Sequence, residues 1–232
     1  MFHLASVLIF AATPSAHDTA GVLSLHPAPP TSSLSCGIAS GGTYLQQVEG
    51  NGTRLSWPTV EGWLRIPAPP GTLELHLAPG MLQTSLQITL LPETHNLSLA
   101  LQPSLGTGFD HQRGVSDIVT SVVRVTPGLT AILATAKGRA FVALRWLHLW
   151  QQTTITFGQG VAPSSFRENA QIVGFGAGLR FCGERGAISI EIAGYRAATH
   201  GEDGTIAYLI APSIAWHPSE KFLGNGNPPK NP

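Results

Sequence analysis

The sequence predicts an all-β fold, namely an antiparallel up-and-down transmembrane β-barrel of about 8–12 strands, with ten as the best estimate. Charged residues make up only 11% of the chain and apolar residues 43%, whereas soluble domains carry roughly 25% charged residues. No uncharged apolar stretch reaches the ~18 residues that a membrane-spanning helix needs. From about residue 55 onward, apolar residues instead recur at every second position, which is the period of a strand. The 26 Gly and 18 Pro also favour many turns over a helical bundle.

Three segments near the middle of the chain show this alternation as leucine and isoleucine against mostly polar residues. They are TLELHL (72–77), LQTSLQITL (82–90) and NLSLALQ (96–102). In a strand, successive side chains point to opposite faces, so each segment has one apolar face and one mainly polar face. A helix would distribute the same leucines around its circumference. These segments are therefore predicted to be strands.

The last third of the chain alternates bulky residues with small ones. The segments are IVGFGAGLRF (172–181), AISIEIAGY (187–195) and IAYLIAPSIAWH (206–217), and GERG (183–186) predicts a tight hairpin between the first two. In a soluble sandwich, the face opposite the bulky residues would carry many charges. Small residues with isolated charges suit the crowded interior of a narrow barrel whose bulky residues face lipid.

Ten segments are predicted as strands, most of them near the ~9–11 residues that a tilted strand needs to cross a bilayer. Longer polar loops are predicted at 106–115, 151–170 and 198–203. Two segments fit a soluble two-layer sheet better: in 140–150, Arg145 and His148 have opposite parity, and in 117–124 apolar residues occupy both faces. The predicted strands are 55–67, 71–78, 82–91, 95–105, 116–126, 128–137, 139–150, 171–182, 186–197 and 204–217.

The five tryptophans lie near predicted strand ends. Such positions suit either an aromatic girdle at the two membrane interfaces or ordinary packing. The residues are Trp57, Trp63, Trp146, Trp150 and Trp216.

The N-terminal region resembles an export leader. LASVLIFAA (4–12) is long enough for the apolar core of a signal peptide and too short to span a bilayer. The residues that follow are rich in turn formers and show little periodicity. The chain is predicted to divide into a signal peptide (1–16), a flexible leader or linker (17–54), a β-barrel domain (55–222) and a disordered tail (223–232).

Cys36 is the candidate for lipidation, because SLSCG (33–37) is similar to a lipoprotein box, in which the cysteine is acylated. The only other cysteine is Cys182, and the pair makes no metal motif. A disulfide between them is possible, but a free or lipidated Cys36 and a structural Cys182 are the preferred interpretation.

On these residues the chain resembles the short outer-membrane β-barrel proteins of Gram-negative bacteria. The resemblance rests on the LSCGIASGG leader, on the TLELHL and LQTSLQITL pair, and on the GFGAGLRF–GERG–AISIEIAGY hairpin, and it covers about residues 55–217. It departs from that class at its end, because the chain finishes GNGNPPKNP rather than on an aromatic-terminated strand. The resemblance implies a location in the bacterial outer membrane, and a pore, adhesion, stability or lipid-modifying role.

Several classes of function are disfavoured by the sequence. The chain has 13 basic and 13 acidic residues and no basic run, which argues against a nucleic-acid partner. No two of the nine histidines have ligand spacing on one element, so no metal and no cofactor is predicted. GFGAG (174–178) is not followed by a helix that could bind phosphate. Its glycines are therefore predicted to mark a curved strand or close interior packing.

Four charged residues on the predicted inner face are the candidate site residues. They are Glu74, Arg124, Arg180 and Glu191, and they are expected to line or plug the lumen. Charges in a narrow lumen can pair with one another, whereas an arginine at the lipid midplane costs ~2–4 kcal/mol.

The leading hypothesis is an outer-membrane barrel with a structural or narrow-pore role and no catalysis. Its partners would be the lipid bilayer and other envelope proteins. An alternative is an exported soluble β-sandwich or barrel, periplasmic or secreted, that binds a ligand or a protein. A second alternative is a membrane-embedded lipid hydrolase, which would combine His148 or His217 with Ser121, Ser213 or Glu191.

Overall fold

The computed structural model describes residues 34–47, 53–78, 80–91, 97–114, 118–135, 139–158, 160–183, 186–200 and 206–218. These residues form ten antiparallel strands, each paired with its neighbours in sequence, and the first strand pairs with the last. The predicted up-and-down antiparallel barrel is confirmed. The strands are β1 (Ser35–Gln47), β2 (Thr53–Ala68), β3 (Gly71–Ala78), β4 (Met81–Leu91), β5 (Leu97–Arg113), β6 (Val119–Thr135), β7 (Ala140–Thr156), β8 (Ser164–Gly183), β9 (Gly186–His200) and β10 (Ile206–His217).

Strand β1 lies within the segment 17–54 that was predicted to be a flexible leader, so that prediction is wrong for Ser35–Gln47. Ile38 of this strand pairs with Trp216 of β10 on one side and with Gly62 of β2 on the other. Pairing both edges of β1 closes the barrel and leaves no free sheet edge. The strand was missed because outward residues such as Cys36 and Ser40 are nearly as small as the inward ones, so its two faces differ little in size. The predicted signal peptide and tail lie outside the described residues.

The two segments predicted at 116–126 and 128–137 are one strand, β6. Pro127 and Gly128 suggested a turn, but the pairing with β5 runs through both residues. Beyond the proline, which has no N–H to donate, the pairing with β7 resumes in the same register. This error offsets the missed β1, so the best estimate of ten strands is correct.

The long loops predicted at 106–115 and 151–170 are largely strand. Strand β5 continues to Arg113, β7 to Thr156, and β8 begins at Ser164. These extensions carry polar residues on both faces, so they show no hydrophobic period, yet their backbones pair fully. They form two long hairpins at one end of the barrel, here called the upper end. The lower end is the one where β1 begins and β10 ends.

The outer surface of the barrel is apolar. Phe175 is 68% exposed, and Ile190 and Ile214 are each 51% exposed. The lipid-facing interpretation requires the alternating isoleucines of 187–195 and 206–217 to face lipid, and those whose side chains are described point outward. Other outward-facing large apolar residues include Leu75, Leu86, Leu101, Leu129, Leu144, Leu179, Ile188, Ile192 and Ile210. Within the described residues, no helix is long and apolar enough to cross a membrane.

Inward-facing glycines make room for inward-facing aromatic rings on the next strand. A Cβ atom at Gly178 would overlap the ring of Phe141, and one at Gly174 would overlap that of Tyr195. Gly37 in the same way accommodates the indole of Trp63. The glycines of GFGAG therefore mark close interior packing, as predicted.

Replacing Gly178 by alanine is expected to lower the free energy of unfolding by about 1–3 kcal/mol, because the new methyl group overpacks the interior against Phe141. Urea titration of the folded protein in detergent, followed by tryptophan fluorescence, measures this change. Gly194→Ala is the matched control, since a Cβ atom at that position meets nothing within 4 Å. Equal destabilisation by the two substitutions would contradict the packing argument.

Candidate functional site

The four candidate residues are all buried inside the barrel. Glu74 and Arg124 are 2% exposed, Arg180 is 4% exposed and Glu191 is 1% exposed. Sequence reasoning missed three further buried charges on the same face, Glu61, Arg65 and Arg145. Arg145 and His148 do lie on opposite faces of β7, as their spacing requires: Arg145 points inward and His148 points outward.

Glu74 is the centre of one cluster. Its carboxylate forms a salt bridge with Arg65 of β2 and accepts a hydrogen bond from His76 Nε2. Gln102 of β5 donates to the same carboxylate at 3.2 Å and to Ser85 Oγ of β4 at 2.8 Å. The side chains of four neighbouring strands are thereby connected through one glutamate.

His217 is the centre of a second cluster near the lower end. Its Nδ1 accepts a hydrogen bond from Arg180 Nη2 at 2.9 Å, and Arg65 Nη1 lies 3.5 Å from the same nitrogen. A guanidinium can only donate, so Nδ1 carries no proton. The neutral imidazole is therefore protonated at Nε2, which donates to Ser189 Oγ at 2.9 Å. Trp63 covers the ring, with centroids 5.0 Å apart.

Arg145 and Glu191 form a third cluster in the middle of the barrel. Arg145 Nη2 lies 3.2 Å from Glu191 Oε1, and Arg145 Nη1 donates to the hydroxyl of Tyr195. Gly176 makes space for the carboxylate, because a Cβ atom there would lie 2.8 Å from Glu191 Oε1. The fourth candidate, Arg124, lies against Gly108 of β5.

Apolar side chains fill the space between these clusters. One group brings Leu147, Ile172 and Tyr195 together with Met81, and a smaller one contains Ala100, Ile132 and Ala143. Buried charges are compatible with such an interior only where they are paired and hydrogen-bonded. The described interior thus combines hydrogen-bonded charges with small groups of apolar side chains.

Of the residues proposed for a hydrolase, Ser213 and Glu191 lie directly opposite each other on β10 and β9, but the two histidines lie elsewhere. His148 packs on the outer surface beside Trp150, with ring centroids 4.5 Å apart, and Ser121 is hydrogen-bonded to His111. His217 instead contacts Ser189, and both side chains are fully buried. A catalytic triad places a carboxylate on Nδ1 of the histidine, whereas this Nδ1 faces arginines.

The tryptophans divide between the two faces of the barrel. Trp146, Trp150 and Trp216 are exposed on the outer surface, where an interfacial girdle would place them. Trp63 is buried inside the barrel, so a girdle position is wrong for this residue. It turns inward because Gly37 lies opposite it and leaves space for the indole. The side chain of Trp57 is outside the described part.

Neither Cys36 nor Cys182 forms a disulfide, and both are exposed. Cys36 lies on the outer face of β1, opposite Leu64 of β2. Its acylation remains a prediction. Among the described residues there is no group of three or more His, Cys, Asp or Glu side chains that could hold a metal ion.

A cleft of about 650 Å³ opens between the tips of the two long hairpins, outside the barrel interior. Its lining includes Arg113, Ile118 and Phe157. The upper end therefore presents structured surface beyond the barrel wall.

No protein-family model and no curated protein matches the chain. Among solved structures, the chain is similar to Ail, the attachment invasion locus protein of Yersinia pestis, at 9% identity over 79% of this chain and 97% of that one, with a TM-score of 0.39. It is also similar to the outer membrane protease OmpT from Escherichia coli, at 11% identity over 79% and 95%, with a TM-score of 0.43. Neisserial surface protein A follows at 7% identity over 79% and 96%, with a TM-score of 0.33. Identities of this size carry no information about activity.

Proposed function

We propose that this protein is a bacterial outer-membrane barrel that is closed to solutes and has a structural role, holding its two long hairpins at the membrane surface. The observation that carries the proposal is the inversion of polarity. Ion-paired side chains are buried inside, while bulky apolar side chains cover the outside. A soluble protein would expose the first set to water and bury the second. A closed barrel in lipid must instead place apolar side chains on its outer wall, because that wall contacts hydrocarbon, and keep its charged side chains inside.

The burial of the described interior charges favours the structural role over the narrow pore. Side chains that line a water-filled channel remain solvent-accessible, but Arg65, Arg145 and Glu191 are each only 1% exposed. These residues come from β2, β7 and β9, so the occlusion involves separate parts of the wall. The same burial argues against turnover at the His217–Ser189 pair, because a substrate has no access to it.

Fractionation of expressing cells tests the membrane location. We expect the protein to require detergent for extraction and to migrate differently on a gel before and after boiling, because a folded barrel resists unfolding by the detergent. Release by osmotic shock without detergent would instead support the soluble periplasmic or secreted alternative.

Conductance across a planar lipid bilayer tests the closed state. The refolded wild-type protein is expected to give no stable conductance steps. The double variant Arg145→Ser with Glu191→Ser removes a charge pair of zero net charge, and should show conductance if these side chains are what blocks the lumen. Reproducible steps from the wild type would restore the narrow-pore hypothesis.

A further inference from the structure

The charged residues described on the outer face of the barrel wall are all of one sign, whereas the inner face carries both signs. The strand glutamates whose side chains are described are Glu61, Glu74, Glu168 and Glu191, and all four alternate inward. The outward charged strand residues whose side chains are described are arginines, namely Arg113 on β5, Arg167 on β8 and Arg196 on β9, and all three are exposed in the upper half of the barrel. Within the described part, none of these arginines forms a salt bridge with a carboxylate. The outer wall is therefore locally cationic at one end.

Arg196 belongs to a contiguous outward strip across four strands. On β9 it lies directly opposite Tyr208 of β10 and Val173 of β8. The next outward residue of β8 is Gln171, which lies opposite His148 of β7. Directly opposed residues on neighbouring strands are about 5 Å apart, and diagonal ones ~7–8 Å. We call this set the interfacial strip: Trp146, His148, Trp150, Gln171, Arg196 and Tyr208.

The interfacial strip lies where the apolar surface ends. Along β8 the outward residues change from Phe175 and Val173 to Gln171, and along β7 they change from Trp150 to Gln152. Tryptophan and tyrosine favour the headgroup level of a bilayer, where one end of the ring system is wet. The strip is therefore level with lipid phosphates, and its charged member is a cation.

We propose that the interfacial strip binds the phosphate of an anionic lipid headgroup in the leaflet at the upper end. The guanidinium of Arg196 can donate two parallel hydrogen bonds to phosphate oxygens, which makes it the anchor. Gln171 supplies an amide donor next to it, while the rings of Trp146 and Trp150 flank the acyl chains below. The proposal rests on the membrane insertion proposed above.

Quenching of tryptophan fluorescence by brominated lipids tests the membrane insertion and the preference for an anionic lipid separately. The full chain is refolded into vesicles of phosphatidylcholine, and a fixed minor fraction of the lipid is replaced by dibrominated phosphatidylcholine or by dibrominated phosphatidic acid. We expect quenching by both, with about fivefold stronger association of the anionic lipid, which is the effect of one arginine near an anionic headgroup. The preference should decline in high salt.

Variants locate the binding surface. Arg196→Gln should remove most of the preference for phosphatidic acid, and Arg196→Lys should retain part of it. Arg167→Gln is the matched control, because Arg167 also points outward but lies in the polar extension of β8, and it should leave the preference unchanged. An Arg196→Gln protein that keeps the full preference would overturn the assignment to the strip. Equal association of both lipids with the wild type would overturn the inference alone, whereas no quenching by brominated phosphatidylcholine would overturn the membrane insertion itself.

Discussion

Replacing Glu74 by alanine is expected to destabilise the barrel by about 3–5 kcal/mol, which is the usual effect of removing one partner from a buried ion pair. The substitution leaves the Arg65 guanidinium buried without this carboxylate, and it also removes the acceptor for His76 and Gln102. The folded barrel migrates differently from the boiled protein on a gel. The measurement is the urea concentration at which the band of the folded form disappears.

The control for this prediction removes both charges of the pair. In the double variant Arg65→Met with Glu74→Leu, neither charge of this pair is left buried without the other. We therefore expect a large part of the lost stability to return. A double variant as unstable as Glu74→Ala would show that the charge imbalance is not the cause. A Glu74→Ala protein as stable as the wild type would contradict the structural role of the cluster.

Replacing Ile190 by arginine is expected to cost about 2–4 kcal/mol for the folded state in lipid, and to lower the yield of folded protein in vesicles. Ile190 lies near the centre of the apolar belt, because its partners on the two neighbouring strands are Ile214 and Leu179, which also face outward. At that depth the guanidinium has hydrocarbon around it and no partner. Folding into phosphatidylcholine vesicles, followed by the gel assay, measures the yield.

Ser165→Arg is the matched control for Ile190→Arg. Ser165 is also exposed on the outer surface, but it lies near the start of β8, beyond Gln171 and above the apolar belt. The same side chain introduced there should leave the folding yield unchanged. If both arginines lower the yield to the same extent, or neither does, the outer surface at Ile190 is not in contact with lipid.

The fold could be predicted from the sequence wherever the two faces of a strand differ in size. Ile188, Ile190 and Ile192 alternate with Ser189 and Glu191, and that contrast was sufficient to assign β9 and its inward face. In strand β1 the outward Cys36 and Ser40 are nearly as small as the inward Gly37 and Ala39, so the same reasoning assigned it to a linker. Its place in the barrel follows from pairing with β2 and β10, which is a long-range property.

The polar interior was predictable in part. Parity alone placed Glu74, Arg124, Arg180 and Glu191 on the inner face. The pairing of Arg65 with Glu74 could also have been derived, because the two residues are symmetric about the turn at Pro69–Pro70 in the β2–β3 hairpin. The convergence of Arg65, Arg180 and Ser189 on His217 depends on barrel closure, and no local pattern contains it.

The His217 cluster has a consequence for how the chain assembles. His217 is the last residue of β10, and its contacts come from β2, β8 and β9. In an open sheet, β2 and β10 would be far apart, so Arg65 could not reach this imidazole. The cluster is completed only when the two ends of the sheet meet. The hydrogen bonds around His217 therefore depend on the pairing of β1 with β10. Ring closure thus completes this cluster, and the final strand is held by side chains as well as by its backbone.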